Sequence, residues 1–319
     1  MRSMAAAKKT APTKATTKAT SKAATKATSK AAKTSVKKSA TSVPARPVVA
    51  RSNRRGPKSV HDASTPLILG IDIGGSGIKG APVDLVEGVL ATDRLRIETP
   101  QPSTPEACAA VVAQIVKNFE HMTGRRGPVG CTFPGVVWDG VTHTAANVDE
   151  GWLGADADAL FEQATGREFT VINDAQAAVL AECHHGAGTG VDGMVLMITF
   201  GTGIGSGLAY RGVALPGVEM GHLRMHGVDA ETLASANVKD TQKLSWKAWA
   251  ERVNDYLWRV ETILWPELII IGGGVSEKAD KFLPLLKSRA PIVPAKLVNG
   301  AGIVGAAIAA ARQPNVRRR

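Results

Sequence analysis

Glycine clusters close three apolar runs in this chain, and the residues that follow them limit the fold more than any other feature. In the first cluster, IDIGGSGIKG, Gly75, Gly77 and Gly80 satisfy the pattern G-x-G-x-x-G. A dinucleotide loop of that pattern opens directly into a helix, whose N-terminus receives the pyrophosphate. Here Gly80 and Pro82 follow, both poor in a helix interior, while Ile78, Val83 and Leu85 suit extended backbone. Residues 67–73 and 90–97 read as strands on either side. Strand, glycine turn, strand, strand is a meander, which excludes a βαβ dinucleotide site.

The same unit recurs. Residues 194–200 (MVLMITF) run into the turn GTGIGSG at 201–207, and a further strand follows. A third apolar run, 268–271, ends on Gly272, Gly273 and Gly274. Between these units the pattern predicts short strands over 128–132 and 168–172 and a helix from Thr104, with Pro105 at its first position and Glu106 in its first turn. Further helices are predicted over 246–265 and 301–311. Asp174 stands where the strand 168–172 gives way to a helix, a position that also suits an N-cap. Two strand–turn–strand units at the starts of two α/β halves predict a duplicated architecture around a cleft. The expected domains are a small one over 65–172 and a large one over 173–311, with the last helix able to pack back on the small domain.

Charge separates these halves from the ends. The chain carries a net charge of +11, yet residues 1–60 alone hold 16 Lys and Arg and no Asp or Glu. The remaining 23 basic side chains face 28 acidic ones, so the body is mildly acidic. Lysines at 14, 18, 22, 26 and 30 recur at a four-residue step among Ala, Thr and Ser, with nothing to bury against the entropy of ordering. Residues 1–64 therefore read as a disordered basic tail and linker, able to hold polyanions such as polyphosphate or nucleic acid without sequence readout. Residues 312–319 form a second, shorter basic tail. Three cysteines, Cys108, Cys131 and Cys183, stand far apart without a C-x-x-C pair. That usage suits reduced thiols in the cytoplasm, and no apolar run is long enough to span a bilayer.

The three glycine motifs, in this order over some 200 residues, resemble the actin-like ATPase superfamily. The resemblance implies a two-lobed (ribonuclease H-like) fold with duplicated βββαβα domains around a central cleft. It also implies two phosphate loops, Gly74, Gly75, Ser76 and Gly77 in the first and Gly201, Thr202, Gly203 and Gly205 in the second; Lys79, just after the first turn, reads equally as a phosphate lysine or as a surface charge. Gly272, Gly273 and Gly274 match the adenosine motif. Within the superfamily the chain resembles the ROK sugar kinases, through Phe133-Pro134-Gly135, Asn147, Asn173-Asp174 and Glu219-Met220-Gly221-His222. The implied glucose ligands are Gly135, Asn147, Asn173, Asp174, Glu219, His222 and Glu231, with Asp174 as the catalytic base.

One departure is informative. Many ROK glucokinases carry a zinc-binding cysteine cluster after the Gly-His pair, whereas residues 223–230 here contain no cysteine. His222 and His226 are four apart but lack a third ligand, so no zinc is expected. A zinc-less ROK kinase with TFGTGIGSG, AANVDEGW and KLSWKAWA is closely similar to the polyphosphate glucokinases. That similarity implies phosphorylation of the glucose 6-hydroxyl from inorganic polyphosphate, with ATP as a second donor, and a homodimer. Asp72, flanked by Ile71 and Ile73, is a costly charge unless partnered, and a Mg²⁺ ion held through water would explain it. Lys239, Lys243 and Lys247, at i, i+4 and i+8, read as one helix face, either merely solvated or a track for the polyphosphate chain. Two other readings compete: an ATP-preferring glucokinase of the same fold, and a nucleic-acid-associated protein acting through its lysine-rich tail. Residues 1–60 lack the apolar positions that a helix-turn-helix needs.

Overall fold

The computed structural model describes residues 67–145, 148–297 and 300–312. Both basic tails (except Arg312) and Asn147 lie outside the described residues, and so do the polyanion-binding and DNA-reading expectations placed on the N-terminal tail.

The first half opens with the meander β1 (Ile68–Gly74), β2 (Gly77–Asp84), β3 (Val89–Leu90) and β4 (Leu95–Ile97). Helix α1 (Pro105–Thr123) follows, capped by the Thr104 hydroxyl, which accepts from the Ala107 N–H. Next come β5 (Val129–Phe133), the hairpin β6 (Val137–Trp138) and β7 (Val141–Thr142), α2 (Ala157–Thr165) and β8 (Phe169–Asn173). These strands form one sheet in the order β3-β2-β1-β5-β8, with β4 also on β2; β1 and β2 are antiparallel, and β5 and β8 join in parallel. Val112, Ile115 and Phe119 of α1 bury against Leu69, Ile71 and Phe161, the helical spacing meeting the strand alternation.

The second half repeats the plan. Helix α3 (Asp174–His185) leads to β9 (Met194–Phe200), β10 (Ile204–Tyr210) and β11 (Val213–Leu215). A short hairpin, β12 (Arg224–Met225) and β13 (Val228–Asp229), precedes α4 (Glu231–Ala234), α5 (Ala236–Thr241) and α6 (Trp246–Leu264). The chain then forms β14 (Leu268–Gly272), β15 (Ile292–Pro294) and α7 (Ala301–Arg312). The second sheet runs β11-β10-β9-β14-β15, again an antiparallel hairpin continued by parallel strands. In both sheets the glycine turn closes the hairpin. This is the actin-like ATPase fold.

Two helices join the sheets. Helix α7 lies on β1 and β5, α3 lies on β9 and β10, and α3 and α7 pack on each other. Sandwiching explains why α3 is built from Ala, Val and Leu on nearly every side. One charge is buried within it. Glu182 has no exposed surface, and its carboxylate accepts from the backbone N–H groups of Lys296 (2.8 Å), Leu297 (2.7 Å) and Ala187 (2.6 Å). It thereby pins the segment ahead of α7 to α3. Glu182→Gln replaces an acceptor by a donor facing an N–H, so a stability loss of about 2–3 kcal/mol is expected, measured by urea denaturation.

Two expectations are corrected. The strand expected over 90–97 is two strands, because residues 91–94, with the turn-forming Thr92 and Asp93, leave the ladder between β3 and β4. The alternation marked which faces are apolar, but could not report continuity. Lys239, Lys243 and Lys247 do not share a helix face. Lys239 is on α5, Lys243 sits in the break at φ +52°, and Lys247 is on α6, which Ser245 starts afresh by capping the Ala248 N–H.

Candidate active site

Asp174 is the first residue of α3, at the end of β8. The capping position that the sequence left open to it belongs to Asn173, whose side-chain oxygen accepts from the N–H groups of Ala175 (2.9 Å) and Gln176 (3.0 Å). Asn173 also donates through Nδ2 to the Gly135 carbonyl at 3.1 Å. Its amide is thus largely occupied with holding the strand end, the helix start and the FPG segment together. Asp174 keeps one short contact, from the Ala175 N–H at 2.7 Å. Its side chain is reached by solvent, yet protein surrounds it on most sides, as on the floor of a cleft. Desolvation is the main cause that pushes its carboxyl up to about 6, with the Asp72 charge adding to the rise and the hydrogen bonds opposing it.

Asp72 lies at the end of β1, half-buried. One oxygen accepts from the Thr132 hydroxyl at 2.7 Å, and the other faces the Lys79 ammonium at 3.5 Å. Lys79, just after the first turn, is partly exposed and has Asp72 as its partner. The remaining tip of the first turn, Gly75 and Ser76, is exposed.

Glu219, His222 and Glu231 gather beside Asp174. The Glu219 carboxyl is pushed up chiefly by burial, with Asp174 and Glu231 adding to the rise and His222 opposing it. His222 is held by Asp229, Nδ1 to Oδ2 at 3.0 Å, and that bond is the main cause that raises its pKa. Glu231 accepts from the Ile204 N–H at 3.2 Å, tying this polar cluster to the second turn. His226 turns elsewhere, to Asp255 at 2.6 Å, so the two histidines serve different carboxylates.

The second turn borders a cavity of about 320 Å³ walled by Gly201, Thr202, Lys239, Trp246, Gly274 and Lys278. Lys239 lies 4.2 Å over the Trp246 ring and 2.9 Å from Asp240. Gly272 closes β14, and Gly273 adopts φ +80° with the Phe200 carbonyl 2.5 Å from where a Cβ would stand. Glycine is required there for the third motif to pass the second turn. Gly203 closes the turn by accepting from the Gly201 N–H at 3.0 Å, and Gly205 pairs with Thr199 across the hairpin. Lys243 and Lys247 are exposed and line no part of this cavity.

The structure thus brings Asp72, Asp174, Glu219, His222 and Glu231 into one cluster and places Gly201, Thr202 and Gly274 around one cavity. Sequence reading missed Thr132, which orients Asp72, and Asp229, which orients His222. It also missed Arg96 and Lys278. Counting the register of β4 against β2 would have flagged Arg96; Lys278 and Trp246 meet only through the fold.

Two hairpin-led sheets joined by α3 and α7, with the Asp174 carboxyl beside the polar cluster of Glu219, His222 and Glu231, define the class. The chain belongs to the ROK family, whose model matches residues 68–237. It is 50% identical over 242 residues to the polyphosphate glucokinase of Mycobacterium tuberculosis (strain CDC 1551 / Oshkosh), covering 76% of this chain and 90% of that one. Among solved structures it is similar to the inorganic polyphosphate/ATP-glucomannokinase of Arthrobacter sp. strain KM, with 51% identity, TM-score 0.74, and 78% of this chain and 100% of that chain covered. A ROK family glucokinase from Streptomyces griseus, solved with glucose and AMPPNP, matches at 25% identity and TM-score 0.66, covering 77% of this chain and 100% of its own.

Proposed function

We propose that this chain is a polyphosphate glucokinase: it transfers the terminal phosphoryl group of inorganic polyphosphate, or of ATP, to the 6-hydroxyl of glucose. The observation that carries the reading is Asp174, a carboxyl relieved of capping by Asn173 and desolvated between the polar cluster and the first turn. In the transfer, O6 forms a bond to phosphorus as the bridging P–O bond breaks, and the leaving oxygen departs on the shortened donor. The O6 proton passes to Asp174. Glu219, His222 and Glu231, with Gly135, Asn147 and Asn173, are the glucose ligands of this reading. Gly74 to Gly77 and Gly201 to Gly205 offer backbone N–H groups to the phosphates, and Thr202 adds its hydroxyl.

Asp72 fits a Mg²⁺ ion held through water. It is a single, oriented carboxylate, and Mg²⁺ commonly takes one or two carboxylates and fills its octahedron with water and phosphate oxygens. Among the described residues no group of three or more His, Cys, Asp and Glu stands ready to hold a metal, so the other ligands of such an ion would be water and donor oxygens. When bound, it neutralises phosphate oxygens; the protein supplies the positioning.

The cavity beside Thr202 is the donor site of this proposal, with Gly272 to Gly274 at its edge for a nucleotide. Lys239 faces it while Lys243 and Lys247 extend along the surface outside. Lys239→Ala is expected to raise the donor KM about tenfold, the equivalent of one lost contact of about 1.4 kcal/mol, with the glucose KM unchanged. Two lobes dividing near residue 172, a cytoplasmic location and a homodimer complete the proposal. Three buried, unpaired thiols suit a reducing compartment, and no helix among the described residues is long and apolar enough to cross a membrane. The test is a donor comparison on one preparation. Glucose 6-phosphate should form with polyphosphate at a higher kcat/KM than with ATP, and formation from neither donor sinks the reading.

A further inference from the structure

We propose that Arg96 adds the protein's own positive charge, beside the Mg²⁺ that Asp72 would hold, to the transferring phosphoryl group at the first glycine turn; this rests on the phosphotransferase reading above. Arg96 stands on β4, whose register sets it opposite Lys79 on β2. Its Nη2 donates to the Ser76 carbonyl at the tip of the turn, at 2.7 Å. The guanidinium lies so close over Gly77 that a Cβ there would stand 2.7 Å from Nε. Glycine at 77 therefore makes room for this cation as well as for the turn.

Charge accounting singles Arg96 out. Lys79 faces Asp72 at 3.5 Å. Among the described residues no carboxylate lies within ion-pair distance of Arg96, and its side chain is exposed beside the exposed tip of the turn. A transferring phosphoryl group spreads negative charge over three equatorial oxygens. Backbone N–H groups of a glycine turn solvate that charge but do not balance it. A guanidinium offers five N–H donors in a planar fork suited to phosphate oxygens, and the Ser76 carbonyl takes one of them. The same bond fixes the fork at the turn, so its position is set before the donor arrives. Arg96 exchanges no proton in the step: O6 gives its proton to Asp174, the new O6–P bond replaces the bridging P–O bond, and the electron pair leaves on the shortened donor.

The bond to Ser76 also admits a merely structural role, and the experiment separates the two. Arg96→Ala is expected to lower kcat about 100-fold with either donor, leave the glucose KM within twofold, and recover at least tenfold on addition of guanidinium chloride at concentrations well below denaturing. Arg96→Gln, which keeps a donor for Ser76 but no charge, is expected to melt like wild type and to remain as slow as the alanine variant. A kcat within threefold of wild type in both variants overturns the proposal. So does a loss that Arg96→Gln restores, or one that guanidinium leaves untouched. Wild-type protein that makes no glucose 6-phosphate overturns the phosphotransferase reading instead, before Arg96 is tested.

Discussion

Asp174→Asn is expected to lower kcat about 1,000-fold, within the range for loss of a positioned general base, while the fold and the glucose affinity survive. The expectation of intact folding follows from Asn173. Capping of α3 belongs to that residue, and the short contact of Asp174 with the Ala175 N–H is one that an Asn side chain can also accept. The rate loss follows because an amide cannot take the O6 proton. The wild-type pH profile supplies an independent check. Asp174 accepts a proton only when ionised, and its carboxyl is pushed up to about 6. Activity should therefore be full above that region and fall as the pH drops through about 6. The groups that set this limb are Asp72, which raises the pKa, and Asn173 with the Ala175 N–H, which lower it. Glu219, itself raised by burial and by Asp174, faces the same site. Asp72→Asn should consequently shift the limb to lower pH even where it also slows the reaction. Steady-state kcat/KM for glucose between pH 5 and 8 reads both effects, and a profile that stays flat in Asp174-containing enzyme removes Asp174 from the role of base.

Much of this site was legible because its chemistry is carried by short, local patterns. A glycine turn between two strands is a local event: Gly80 and Pro82 were enough to exclude a helix after the first turn, and the hairpin of β1 and β2 is what forms. The cap of α1 at Thr104 was equally local. What escaped depends on pairing at a distance. Arg96 acquires meaning only through the register of β4 on β2, and the strand that carries it was read as one piece with β3. Lys239, Lys243 and Lys247 keep a helical interval in sequence, but Ser245 restarts the helix, so periodicity alone could not reveal that only Lys239 faces the cavity. Asp174 shows the same limit at a single position. Both it and Asn173 have cap-forming side chains, and which one caps is decided by backbone geometry at the end of β8.

Gly130→Ala is expected to be among the most destabilising single-methyl changes in the molecule. Gly130 sits on β5, directly under α7, where a Cβ would stand 1.8 Å from the Ala306 carbonyl oxygen and 2.2 Å from its carbon. At its neighbour in register on β1, Gly70, a Cβ would stand 2.0 Å from the Ile303 carbonyl oxygen, and at Gly305 of α7 one would stand 1.9 Å from the Ala177 carbonyl oxygen of α3. These contacts are to backbone, not to side-chain ends that can swing aside. Adding one methyl group must therefore lift the helix from the sheet or bend the strand. Overpacking of a well-filled core costs about 1–3 kcal/mol and occasionally more, and the lack of a yielding side chain places Gly130→Ala at about 3 kcal/mol or above. For a folded body of this size that is a fall in Tm of roughly 10 °C. Gly300→Ala, where nothing among the described residues lies within 4 Å of the new methyl, is the matched control and should melt within about 2 °C of wild type. The loss should also reach the chemistry, because β5 carries Thr132, whose hydroxyl orients Asp72. Gly130→Ala that remains folded at 25 °C should therefore show a lowered kcat, while Gly300→Ala should not. A Gly130→Ala protein with wild-type Tm and kcat would mean that α7 does not seat on this sheet, and the placement of Asp72 against Thr132 would fall with it.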